Sequence, residues 1–185
     1  MVAVPRRRGT AADLAALPDS VVGELVAGEV WASPRPRPRH ARAAHRIGAD
    51  LDGPFDSGRG GPGGWLFLPA LELHLGDDVL VPDLAAWRTE RWRPQGDEPG
   101  ITVAPDWLCE VLSPSTARLD RLSKMDAYAR AEVGHVWLVD PALRTLECYR
   151  LERGGWFRIG SWADDALVRV PPFEALELGL AGWWL

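Results

Sequence analysis

The sequence predicts an α/β or α+β fold with a central mixed sheet flanked by helices and extra antiparallel hairpins. Three observations predict it. Strand-length apolar or alternating runs stand both before and after one long helical segment. Turns containing Gly, Pro and Asp separate those runs. A chain of 185 residues suits one core, so residues 1–185 are read as a single domain with 1–10 as a flexible leader.

Each element has a local reason. Residues 11–17 form a short helix stopped by Pro18. Glu24 to Trp31 makes two short strands turning at Gly28. Pro36 and Pro38 forbid an early helix, but from about His40 to Leu51 nothing does. The glycine-rich stretch Gly53 to Gly64 is a surface loop. Three strands follow, over residues 65–75, 79–87 and 106–112; the last two are joined by a polar hairpin connection with Pro94, Gly96, Pro99 and Gly100. Ser115 or Thr116 caps the clearest helix, whose apolar face is Leu119, Leu122, Met125 and Ala129, and Gly134 lies beyond its end. A strand over 135–139, a hairpin of 145–151 with 156–162 and a short strand over 166–170 complete the order, and the apolar tail packs on the body.

Composition narrows the classes. A net charge of −5 argues against a nucleic-acid coat protein but allows a local basic patch. Two distant cysteines, Cys109 and Cys148, make neither a zinc site nor a disulfide framework, and read as buried thiols in a reducing compartment. The N-terminal apolar stretch is too short for a signal peptide, and the longest apolar run, residues 65–71, is far too short for a membrane span. A soluble, cytoplasmic protein is expected.

Chemistry is suggested by acids in strands that should be apolar: Glu72 in ALELHL, Asp83 in VLVPDLAAW and Glu110 in DWLCEVLS. Pairing of the strands that carry Asp83 and Glu110 brings both carboxylates to one point. Magnesium or manganese takes oxygen ligands and keeps waters, so these two acids and the Val111 carbonyl suffice as metal ligands. Two close carboxylates repel, so at least one is expected to titrate high. Lys124 shares a helix face with Asp120 and Tyr128, where its ammonium can orient water or stabilise charge on a phosphoryl centre.

The strings VLVPDLAAW, DWLCEVLSPSTARLD and KMDAYARAEVGHVWLVDP resemble the Uma family of restriction-endonuclease-like proteins, within the PD-(D/E)XK nuclease superfamily. The resemblance runs from about Leu17 to Leu178. It implies a restriction-endonuclease-like fold and metal-dependent hydrolysis of DNA, with Asp83 and Glu110 as the motif's acids. The motif's lysine position is Leu112 here, and the resemblance implies that its role has moved to Lys124. His40 also falls where the family has a histidine.

Plainer readings stand beside these. Asp83 caps a turn, Glu110 is a salt-bridge partner, Lys124 makes a surface pair with Asp120, and Glu72 is an exposed edge residue rather than a third catalytic carboxylate. Arg35, Arg37, Arg39, Arg42 and Arg46 form the one basic patch, which is either a solvated face or, with His40, a DNA-binding surface. A catalytically degenerate nucleic-acid-binding module and a protein-interaction domain are the alternatives to a nuclease. The latter rests on Trp183-Trp184 as an exposed aromatic tail. The same tail, with the Trp-rich composition, leads to the expectation of a homodimer.

Overall fold

A computed structural model describes residues 5–93 and 100–185, with only the backbone of residues 5–8. Two sheets carry the architecture. The larger has the order β11-β10-β9-β8-β7-β4, made by Trp65–Pro69 (β4), Leu84–Arg88 (β7), Trp107–Val111 (β8), His135–Asp140 (β9), Thr145–Glu152 (β10) and Gly155–Ala163 (β11). Its pairs are antiparallel except β8 with β9, which are parallel, so the sheet is mixed as expected. The smaller sheet has the order β1-β3-β2-β6-β5, from Pro5–Arg8 (β1), Val21–Val26 (β2), Glu29–Pro34 (β3), Leu73–Leu75 (β5) and Asp78–Leu80 (β6). Residues 5–8, read from the sequence as part of a flexible leader, are thus placed in an edge strand.

Two strands expected from sequence are each split between the sheets. The stretch 65–75 gives β4 to the large sheet and β5 to the small one; 79–87 lies across β6 and β7. Apolar alternation cannot reveal this, because it continues through both crossings. Pro82 ends β6, and Ala70 takes a left-handed φ of 47° where the chain turns between sheets. The crossings lie side by side, with the Ala70 amide donating to the Asp83 carbonyl at 3.1 Å. Asp83 therefore sits on a crossover rather than within a strand.

The large sheet is covered on both faces. After the short helix Ala11–Ala15 (α1), helix Pro38–Leu51 (α2) buries Ala43, Ile47 and Leu51 against one face, starting with Pro38 in its first turn. Phe55, in a π-helical turn over Asp52–Asp56, continues that core, so the loop expected from residue 53 begins with a buried turn. Phe173 is the hub here: Phe55, Trp65, Phe67, Trp107 and Trp137 all lie 4.7–5.6 Å from it, ring centre to ring centre. The C-terminal tail closes this face. Trp183 is fully buried and donates to Asp50 at 2.8 Å, and Trp184 donates to the Asp164 carbonyl at 2.7 Å. The exposed aromatic tail expected from sequence is thus part of the core, and neither the interaction surface nor the dimer contact founded on it is there. Each indole N–H finds an acceptor inside the chain, so the two rings need no partner molecule.

The other face is covered by β5, β6 and the helical segment Ala117–Arg130. That segment is not one regular helix. Ala117–Leu119 (α3) and Met125–Arg130 (α4) flank a π-helical turn, Asp120–Lys124. The wider turn changes the face predicted to be apolar: Leu119 and Met125 are buried, but Leu122 is 56% exposed. In its place Asp120, Lys124, Ala127 and Tyr128 point inward. Thr116 stands at the cap position as expected but makes no capping hydrogen bond; its hydroxyl meets Ser113 Oγ at 3.1 Å. The hairpin β10–β11 is as expected, and Leu167–Val168 (β12) pairs with Leu178–Gly179 (β13). The expected connection between β7 and β8 falls partly on residues 94–99, outside the described residues. No helix among the described residues is long and apolar enough to cross a membrane.

Candidate active site

The carboxyl ends of the parallel pair β8 and β9, the start of α2 and the π-turn enclose a cleft of about 490 Å³. Asp83, Glu110, Lys124, His40, Arg35, Arg37 and Arg39 all line it. Open α/β sheets commonly place ligands outside the carboxyl ends of their strands.

Glu110 lies in β8 on the face of Leu108, so it projects toward α4. There its Oε1 accepts from Lys124 Nζ at 2.8 Å and from a short Tyr128 hydroxyl hydrogen bond. Lys124 is only 2% exposed and also meets Glu24 Oε1 at 2.8 Å and Asp120 Oδ1 at 3.5 Å. The π-turn is what aims Asp120 and Lys124 into the same interior space. Asp83, on the crossover, accepts from the Val111 amide at 2.8 Å and faces His40 Nε2 at 3.3 Å. Asp83 and Glu110 are thereby joined through one residue of β8, since Val111 follows Glu110.

The cluster holds four acids against one lysine and a histidine, and its electrostatics follow. Burial drives Glu110 well above the ordinary carboxylate range; Lys124 opposes this, while Asp120, Asp83 and Glu24 add to it. Burial, opposed by Lys124 and reinforced by Glu24, pushes Asp120 up to about 6. Burial would lower Lys124, but Glu110, Glu24, Tyr128 and Asp120 outweigh it and hold the ammonium protonated. Burial would also lower His40, yet Asp83, then Asp120 and the Val111 backbone, leave it raised. The upward direction expected for one acid of the pair falls on Glu110, with burial rather than Asp83 as its main cause.

A pH dependence of stability follows. Asp120, Glu110 and His40 all have folded-state values above their unfolded ones. Each therefore contributes stability at low pH that is lost as pH rises through its folded value. His135, lowered by burial, acts in the opposite direction. Asp120 alone, moved from 3.8 to about 6, is worth on the order of 2–3 kcal/mol over its whole titration, of which about 1 kcal/mol falls between pH 5.5 and pH 8, with Glu110 and His40 adding to it. Metal-free protein is expected to melt about 5 °C higher at pH 5.5 than at pH 8. Magnesium should narrow that gap by stabilising the pH 8 sample more. Calorimetry in both buffers, with EDTA and with magnesium, checks this; a higher melting temperature at pH 8 in EDTA contradicts it.

A divalent cation fits this donor set. Asp83 is anchored through Oδ2 and Glu110 through Oε1, which fixes the orientation of both carboxylates. No three His, Cys, Asp or Glu side chains among the described residues converge as a complete ligand set. Two carboxylates would leave the rest of a cation's shell to backbone or water oxygens, which is chemistry that magnesium accepts.

The remaining expected residues divide. Glu72 is outside the cleft, half-exposed and bonded to His74 at 2.6 Å, because the chain leaves the large sheet before reaching it. Arg42 also lies outside, one turn beyond Arg39 on α2, near the Gly182 carbonyl at 3.4 Å. Glu24 is the residue sequence reading missed. It is 4% exposed within the apolar strand VVGELV, the same signal that singles out Glu110, and its Oε1 also accepts from the Val81 amide at 2.8 Å.

Comparison with known proteins agrees with this fold. The profile of the Uma2 family, described as "Putative restriction endonuclease", matches residues 11–183. A crystal structure described as that of a "putative nuclease belonging to DUF820" from Anabaena variabilis aligns with a TM-score of 0.74. It is 24% identical and covers 95% of this chain and 98% of its own, a likeness of fold. No curated protein matches the sequence.

Proposed function

The chain belongs to the Uma2 family of restriction-endonuclease-like proteins, and from that premise we propose that it is a divalent-metal-dependent endonuclease acting on DNA. One observation carries this reading: Lys124 reaches Glu110 at 2.8 Å in the cleft that Asp83 also lines. Two acids and a lysine thereby share one cleft, although no lysine stands at position 112.

Asp83 and Glu110 would hold the cation, with the Val111 carbonyl as third protein oxygen. Bound there, magnesium or manganese supplies Lewis acidity and a more acidic water for attack on phosphorus. Lys124 is a donor throughout, because its acid neighbours keep it charged. Its ammonium orients the attacking water and stabilises the extra negative charge of the pentacoordinate phosphorus. Glu24 and Asp120 keep that ammonium in place, and Tyr128 fixes Glu110 by its hydroxyl. His40 orients Asp83 from the first turn of α2. Arg35, Arg37 and Arg39 attract the phosphate backbone at the mouth of the cleft, which reconciles DNA affinity with a net charge of −5.

Metal removal tests this directly. Cleavage of DNA is expected with magnesium or manganese and is lost in EDTA. Undiminished cleavage in EDTA overturns the metal assignment, and no cleavage with any divalent ion favours the degenerate, binding-only alternative.

A further inference from the structure

The acids and the lysine are recessed, and that limits what can reach them. Glu24, Glu110, Asp120 and Lys124 are each 2–4% exposed, and Asp83 is the most open of the group at 19% for its side chain. They lie inside a cleft of about 490 Å³, room for roughly one or two nucleotides. Its rims are stiff. On one side runs Pro34-Arg35-Pro36-Arg37-Pro38-Arg39, where prolines at every second position restrict the backbone; on the other stand Pro114 and Pro141. A paired helix presents its phosphates on a convex surface, with each base held in the stack. Such a surface cannot bring a phosphate to the recessed acids unless one strand leaves the helix.

A second observation points to a strand within the cleft. Ser33, at the end of β3, lines the same wall, is only 5% exposed, and its hydroxyl has no partner among the described residues. An unpaired buried hydroxyl costs stability with no return inside the folded chain. Ser33 lines the cleft beside Arg35, Arg37 and Arg39, and its hydroxyl, closed to solvent here, would need only a turn about its Cα–Cβ bond to meet a phosphate or sugar oxygen. Arg35 is partly held by the Asp19 carbonyl at 2.5 Å.

We infer that the cleft takes a single DNA strand, or the unpaired end of a duplex, and discriminates against intact duplex. This inference rests on the nuclease reading. Ser33 and the Pro-Arg rim receive the sugar-phosphate backbone beside the scissile bond, and the acid pocket receives the scissile phosphate itself.

The test separates binding from cleavage. Fluorescence anisotropy in calcium compares a labelled oligonucleotide, its blunt duplex and the same duplex with a single-stranded overhang; cleavage of all three is then followed in magnesium and manganese. The single strand and the overhang should bind at least about tenfold more tightly than the blunt duplex, and be cut preferentially. Arg37→Ala/Arg39→Ala should flatten the salt dependence of single-strand binding by about 1.4 in log–log slope, about 0.7 per phosphate contact. Ser33→Ala should weaken single-strand binding severalfold while leaving the melting temperature unchanged or raised, an outcome that a merely structural serine would not give. Equal or tighter binding of the blunt duplex overturns the inference, as does a salt slope unmoved by the arginine pair. A preserved single-strand preference with no cleavage under any metal overturns the nuclease reading and leaves the inference standing.

Discussion

Lys124→Met is expected to leave only a small residual rate of cleavage and to lower the unfolding free energy of the metal-free protein by about 3–5 kcal/mol. Among the described residues the lysine is the one cation buried with Glu24, Glu110 and Asp120, at 2.8, 2.8 and 3.5 Å. Methionine fills similar space but leaves those acids facing each other without a counter-charge. Removing one partner of a buried ion pair exposes the full desolvation penalty of the other, unlike the loss of a surface pair worth tenths of a kcal/mol. Divalent cation then substitutes for the missing charge, so magnesium should raise the melting temperature of the variant more than that of the parent. Lys124→Arg keeps the charge without the compact ammonium, and is expected to fold while losing about two orders of magnitude in rate. Urea melts with and without magnesium, beside single-turnover cleavage, decide the matter. Full cleavage by either variant removes Lys124 from the chemistry; unchanged stability of the methionine variant removes the buried network as a structural element.

Glu24→Gln is expected to reduce the cleavage rate by about two orders of magnitude with little change in KM for DNA. Glutamine can still accept from the Val81 amide, so the strand is kept and the stability change is on the order of 1–2 kcal/mol. What it loses is charge beside the ammonium. Glu24 acts through Lys124, so its effect should vanish where the lysine is absent: the double variant with Lys124→Met should cleave no worse than Lys124→Met alone. Additive losses would place Glu24 in contact with substrate or cation instead, and an unchanged rate would reduce it to a packing residue.

Much of this site is legible along the chain because an acid in an apolar strand is costly without a partner. That rule singles out Glu110 and applies equally to Glu24, which reads as an ordinary hairpin residue when its partner is a hundred positions away. Glu72 obeys the same rule in sequence but not in space: the chain switches sheets between Pro69 and Leu73, and Glu72 turns out to water. Asp83 is legible for a different reason, since proline before it marks the end of a strand. Lys124 is legible by its spacing from Asp120 and Tyr128. Its burial is not, because helical periodicity assigns Leu122 to the interior, and the π-turn leaves it at 56% exposure.

The sequence by itself determined the mixed sheet and the hairpin of 145–162, and it singled out Asp83, Glu110 and Lys124 as candidates. Each of these follows from local patterns: alternation, turn residues, acids set in apolar runs and, for Lys124, its spacing from Asp120 and Tyr128. Only the tertiary structure decided which sheet each half of residues 65–87 joins, that Trp183 and Trp184 lie in the core, and that Glu24 shares the ammonium with Glu110. Those outcomes depend on burial and pairing between segments far apart in the chain. A tryptophan reads the same whether its indole N–H meets Asp50 or water, and a glutamate reads the same until folding brings a lysine to it.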